Sequence, residues 1–124
     1  MRPLVSVVDD DESVRESLPD LLNELGYDVQ AFSSAEDFLA SSHLGATQCL
    51  IIDIAMPGMT GPELQVELTR LKRRIPILFI TAQIDETVRR GVLNRGAVAC
   101  LFKPFTEEAL VDALNLAFGK TPQS

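Results

Sequence analysis

The feature that most narrows the fold is an alternation, five times over, between a short apolar run and a segment with helical spacing of apolar residues. Runs at 4–8, 49–52, 77–80 and 98–102 are rich in Val, Ile, Leu or Phe and bounded by turn residues, the pattern of strands buried on both faces. A fifth, at 27–32, alternates apolar with polar residues and reads as an edge strand. Strict strand-helix alternation implies a parallel sheet with helices on both sides, joined by right-handed crossovers. A chain of 124 residues holds one such domain, 1–119, with 120–124 reading as a tail or the start of a linker.

The helical segments carry their own start and stop signals. Val14, Leu18, Leu21, Leu22 and Leu25 make an apolar stripe, Ser13 with Glu16 has the spacing of a capping box, and Gly26 supplies the stop. Pro19 inside this segment predicts a local bend. Ser34 opens a short second helix carrying Ala35, Phe38 and Leu39. Thr60 and Glu63 form a second capping-box pattern, with Pro62 in the first turn and Leu64, Leu68 and Leu71 facing inward. Asp85 begins a fourth helix weakened by Gly91, and Thr106 caps a fifth that ends at Gly119.

A net charge of -7 argues against a broad electrostatic grip on nucleic acid or anionic lipid by this segment. No stretch has the length of a signal peptide or a membrane span, so a cytoplasmic protein with reduced Cys49 and Cys100 is the expectation. His43 sits in a polar segment and reads as part of a loop or helix end with no chemistry.

In open parallel sheets ligands bind at the carboxyl ends of the strands, so the residues there decide the chemistry. Asp9, Asp10, Asp11 and Glu12 follow the first strand, Asp53 ends the third, Thr81 ends the fourth and Lys103 follows the fifth. Two like charges about 4 Å apart repel by about 4 kcal/mol at an effective dielectric of 20, so Asp9, Asp10 and Asp53 together demand a cation or protonation. Lys103 and a divalent ion would supply it, and an all-oxygen ligand set suits Mg²⁺ rather than zinc. A carboxylate beside Mg²⁺ can itself attack a phosphoryl group, with Lys103 neutralising charge and the Thr81 hydroxyl donating to a phosphoryl oxygen. Each residue taken singly has a plainer reading: a solvated acidic turn, a helix-cap aspartate, a surface lysine before Pro104.

The motifs Val8-Asp9-Asp10-Asp11-Glu12, Asp53-Ile54-Ala55-Met56-Pro57-Gly58, Ile80-Thr81-Ala82 and Lys103-Pro104-Phe105, in this order and spacing, resemble the response-regulator receiver domains of bacterial two-component systems. The resemblance runs from residue 4 to about 117. The stretch from Asp9 to Leu18 is similar to FixJ-type receivers, which usually precede a DNA-binding helix-turn-helix domain; the 124 residues contain none. The resemblance implies a flavodoxin-like (βα)5 doubly wound sheet with strand order 2-1-3-4-5. That order would put Cys49 and Cys100 two strands apart, beyond disulfide reach.

By position the resemblance further implies Asp53 as phosphoacceptor, Asp9 and Asp10 as the acidic pair, and Asp10, Asp53 and the Ala55 carbonyl as direct Mg²⁺ ligands. Thr81 and Lys103 become switch residues, with a cis peptide before Pro104. Cys100 stands three residues before the lysine, where many members carry Tyr or Phe, and Phe102 is not expected to replace that aromatic because neighbouring strand positions face opposite sides. The implied function is a phosphorelay receiver, not an enzyme: a sensor histidine kinase would supply the phosphoryl group. The face made by the fourth helix, fifth strand and fifth helix would then engage an output domain, a partner or a second copy, with transcription as the regulated process. A phosphatase is disfavoured because Ala55 stands where its second acid would be, and a flavin module because Asp9 to Glu12 would repel phosphate. An unphosphorylated interaction adaptor on the same fold is the alternative.

Overall fold

The structure, a computed structural model, describes residues 2–83 and 85–119; the tail read at 120–124 lies outside them. In chain order the elements are β1 (Leu4–Val8), α1 (Glu12–Glu24), β2 (Asp28–Phe32), α2 (Ala35–Ala40), a 3-10 turn (Leu44–Ala46) and β3 (Cys49–Asp53). They continue with α3 (Gly61–Arg70), β4 (Ile77–Thr81), α4 (Glu86–Asn94), β5 (Ala99–Phe102) and α5 (Glu107–Ala117). All strand pairs are parallel, in the order β2-β1-β3-β4-β5, as expected. Because side chains alternate along each strand, the sheet feeds two cores. Val5, Val7, Ile51, Leu78 and Ile80 pack under α1 and α5, while Leu50, Ile52, Ile77 and Phe79 pack under α2, α3 and α4.

Capping explains most helix starts. Ser34, Thr60, Asp85 and Thr106 each accept a backbone N–H in the first turn, and Thr60 with Glu63 closes a reciprocal capping box. Gly26 takes φ +103, the left-handed conformation that glycine adopts freely at a helix stop. The first helix starts earlier than its pattern suggested: Asp11, not Ser13, is the N-cap, accepting from the Ser13 amide and hydroxyl. An acidic side chain two residues nearer the strand reached the free amide first.

Other expectations are corrected by tertiary context. Leu71 does not face inward; it is the residue after α3 and stands 41% exposed, because the helix has ended before the stripe comes round again. The apolar run at 98–102 is not buried on both faces: β5 is the second edge of the sheet, and Phe102 is 38% exposed. Strands two and five begin one residue later than read, at Asp28 and Ala99. Cys100 and Phe102 lie two positions apart, not one, so they share a face and line the same cleft beside Thr81.

Buried polar groups find partners within the chain. Thr47 donates its hydroxyl proton to the His43 carbonyl at 2.7 Å, so Ser6 is the donor in the 2.7 Å hydroxyl pair between Ser6 and Thr47. His43 itself opens the 3-10 turn, in keeping with its reading as a helix-end residue. Cys49 and Cys100 are both free; Cys49 belongs to the α1/α5 core and Cys100 to the opposite one. Burial pushes the Cys49 thiol up to about 12.

Gly61 is where the fold is least tolerant of an added atom, since a Cβ there would collide with the Asp53 backbone carbonyl and press against the Phe79 ring. Backbone cannot swing aside as a flexible side chain does. Gly61→Ala is therefore expected to destabilise the protein by about 1–3 kcal/mol, read as a fall in the urea midpoint; an unchanged midpoint would show that the contact relaxes freely.

Candidate functional site

Strand register assembles the site. Val8 lies beside Ile52, so the next residues, Asp9 and Asp53, leave the sheet together at its carboxyl rim. Thr81 lies beside Phe102, and the following residue, Lys103, donates its backbone N–H to the Thr81 carbonyl at 2.8 Å. The Lys103-Pro104 peptide is cis, as the resemblance implied. Lys103 then spans the rim: its Nζ donates to Asp9 Oδ2 at 3.0 Å and to Asp53 Oδ2 at 2.9 Å.

Asp9 is fully buried and Asp53 nearly so, whereas Asp10 is exposed. Asp9 Oδ1 accepts from the Asp11 amide at 2.9 Å, and Asp53 Oδ1 accepts from the Ala55 amide at 3.1 Å. Burial is the main reason the Asp9 carboxyl is raised above its usual 3.8; the Asp53 charge adds to it, and the Asp11 amide and Lys103 oppose it. For Lys103 burial works downward, but hydrogen bonds and charge from Asp53 and Asp9 outweigh it and hold the ammonium above 10.5. Its stabilising contribution is thus complete below 10.5 and fades only as pH climbs past the raised value.

Three carboxylates against one ammonium leave a local charge near -2, the charge of one divalent cation reversed. Asp9, Asp10 and Asp53 each offer an oxygen, and these oxygens lie within 4.8 Å of one another. Opposite ligands of a Mg²⁺ ion stand about 4.2 Å apart, so modest contraction of this set would close on the ion. Donor chemistry and charge both fit.

Thr81 is buried at the rim, yet its hydroxyl is engaged locally: it donates to the Gln83 carbonyl at 3.0 Å and accepts from the Gln83 amide at 3.1 Å. The structure therefore brings Asp9, Asp10, Asp53 and Lys103 together and leaves Thr81 beside them, turned to its own loop. Two supporting residues escaped the sequence reading. Arg15 Nη1 donates to the Asp9 carbonyl at 2.9 Å and ties α1 to the acidic loop. Glu36 accepts from the Met59 amide at 3.2 Å and pins the loop after β3. Neither has a local signal, because both act on backbone that only folding brings near.

A doubly wound sheet with three acids and a lysine at its carboxyl rim defines a phosphotransfer signalling module rather than a flavin carrier. The chain belongs to the response regulator receiver domain family, whose profile matches residues 5–115. Nodulation protein W of Bradyrhizobium diazoefficiens is 42% identical over 116 residues, covering 94% of this chain and 51% of that protein. Transcriptional regulatory protein FixJ of Rhizobium meliloti is 37% identical over 113 residues, covering 91% and 55%. Among solved structures, the crystal structure of FixJ-N superposes with a TM-score of 0.85 at 33% identity, covering 100% of this chain and 99% of that one. The low-resolution structure of response regulator StyR gives 0.86 at 45% identity, covering 96% and 60%. The chain spans about half the length of the curated relatives it matches. Among the described residues no helix is long and apolar enough to cross a membrane.

Because folded Asp9 holds its proton more tightly than the unfolded chain does, stability falls as pH climbs from 3.8 through the raised folded value. Asp9→Asn, which cannot ionise, should stabilise the metal-free protein above that window, and the gain should grow as pH rises through it. Urea denaturation in EDTA at a series of pH values checks this; a loss of stability at neutral pH would reverse the sign of the argument.

Proposed function

We propose that Asp53 is the phosphoacceptor of this receiver, with Asp10, Asp53 and the Ala55 carbonyl as direct ligands of Mg²⁺ and Asp9 completing the acidic pair. The observation that carries the reading is the Lys103 ammonium seated between Asp9 and Asp53. It orients the Asp53 carboxylate at an open rim. A carboxylate oxygen of Asp53 forms the new P–O bond in line, the P–N bond to a kinase phosphohistidine breaks, and the leaving imidazole takes up a proton. Bound Mg²⁺ would neutralise charge on the phosphoryl oxygens.

Lys103 would follow the charge, keeping one hydrogen bond to Asp53 and offering another to the new phosphoryl group. Thr81 would exchange its bonds to Gln83 for a phosphoryl oxygen, and that exchange releases the loop between β4 and α4. The face formed by α4, β5 and α5 would transmit the change to an output domain, a partner or a second copy. Sequence likeness to proteins called transcriptional regulators supports a role in transcription control, in a cytoplasmic protein of which residues 1–119 form the receiver. Its turnover would be limited to slow self-hydrolysis.

Incubation with acetyl phosphate and Mg²⁺ should add one phosphoryl mass, read by intact-protein mass spectrometry. Asp53→Asn should abolish the label and EDTA should prevent it. Full labelling of the variant would remove Asp53 from the role.

A further inference from the structure

The opposite pole of the sheet carries a second site of opposite charge. A groove of about 590 Å³ opens between the C-terminal half of α3, the turn leading into β4 and the end of α4. Lys72, Arg73, Arg74 and Arg95 line it, and no acidic residue does. These are four of the eleven Lys and Arg residues in a chain of net charge -7. Among the described residues none of the four is in a salt bridge, whereas Arg2, Arg70, Arg89, Arg90 and Lys103 all are.

Helix ends account for only part of this charge. The C-terminal ends of α3, α4 and α5 meet the groove at Thr69, Arg95 and Ala117. Each carries about -0.5 charge, about -1.5 in all, against four positive charges. Roughly two to three charges remain uncompensated, which matches a polyphosphate rather than a single carboxylate. One of the four cations is also held in place. Arg95 Nε donates to Gln65 Oε1 at 3.3 Å, and Gln65, 4% exposed, is anchored by its own Nε2 to the Val92 carbonyl at 3.0 Å. This fixes the guanidinium from behind and leaves its terminal nitrogens for another acceptor. Leu68, Ile77 and Val98 give the groove an apolar floor. A volume of this size with an apolar floor and a few placed cations suits a small organic ligand.

We propose that this groove binds a nucleoside di- or triphosphate, its base on the apolar floor and its phosphates on Arg74, Arg95 and their neighbours. The site is separate from the acidic rim and does not depend on phosphorylation of Asp53. Isothermal titration of the full chain with ATP in EDTA, where the acidic rim repels anions, should give saturable one-site binding. Amide resonances at 68–77 and 95–98 should shift while those of Asp9, Asp10 and Asp53 stay in place. Arg74→Gln with Arg95→Gln should weaken ATP about tenfold or more, and Arg74→Gln alone, which leaves Gln65 its partner, should weaken it by a smaller factor. Both variants should keep wild-type labelling by acetyl phosphate, which certifies their fold. Absence of saturable binding, shifts confined to the acidic rim, or unchanged affinity in the double variant would overturn the assignment. Pyrophosphate or a glutamate-rich peptide binding as tightly as ATP would also overturn it, by showing charge attraction without recognition of a nucleoside.

Discussion

One ammonium between two buried carboxylates is the interaction on which the rest of this molecule turns. Asp9 and Asp53 sit where the sheet places them, and without Lys103 two buried carboxylates would face each other with no cation between them. Ninety-four residues separate Asp9 from Lys103, so the contact exists only if β1, β3, β4 and β5 align in one register. The lysine leaves the acid cluster short of neutrality. Burial is what chiefly raises the Asp9 carboxyl, the Asp53 charge adding to it, and a divalent ion would make up the remaining shortfall.

The same topology polarises the whole molecule. Each β-strand runs toward the acidic rim and each helix returns from it, so helix N-termini gather at one pole and C-termini at the other. Positive dipole ends near the rim favour phosphate and carboxylate, and negative ends at the other pole favour cations. Asp11, Ser34, Thr60, Asp85 and Thr106 cap the first set of ends, while Lys72, Arg73, Arg74 and Arg95 crowd the second. The excess of charge beyond what the dipoles require makes that second pole a recognition surface rather than a capping arrangement.

The cleft beside Thr81 shows how a single strand position changes the reading of a sequence pattern. Cys100 fills the place of the usual aromatic, and Phe102 stands on the same face of β5, exposed at the mouth of the cleft beside Thr81. Thr81, held by Gln83, is poised at the other side of that cleft. Phe102 thus shares a face with Cys100, two residues nearer the rim, and lines the same cleft as Thr81.

Local information was enough for the elements and for gathering the candidate site residues at one rim. Period and capping residues mark the five helices, the apolar runs mark the five strands, and strict alternation leaves a parallel sheet as their only common solution, so Asp9, Asp53, Thr81 and Lys103 had to end at one rim. What the chain alone did not decide is what depends on neighbours far away in sequence. Burial of β5 failed to follow from its apolar run because its position at the sheet edge is set by strand order, not by its own residues. The roles of Arg15, Glu36 and Gln65 were invisible because each acts on backbone or side chains supplied by another element. Short-range forces write secondary structure into neighbouring residues, whereas charge pairing and exposure are properties of distances that exist only once the sheet has closed.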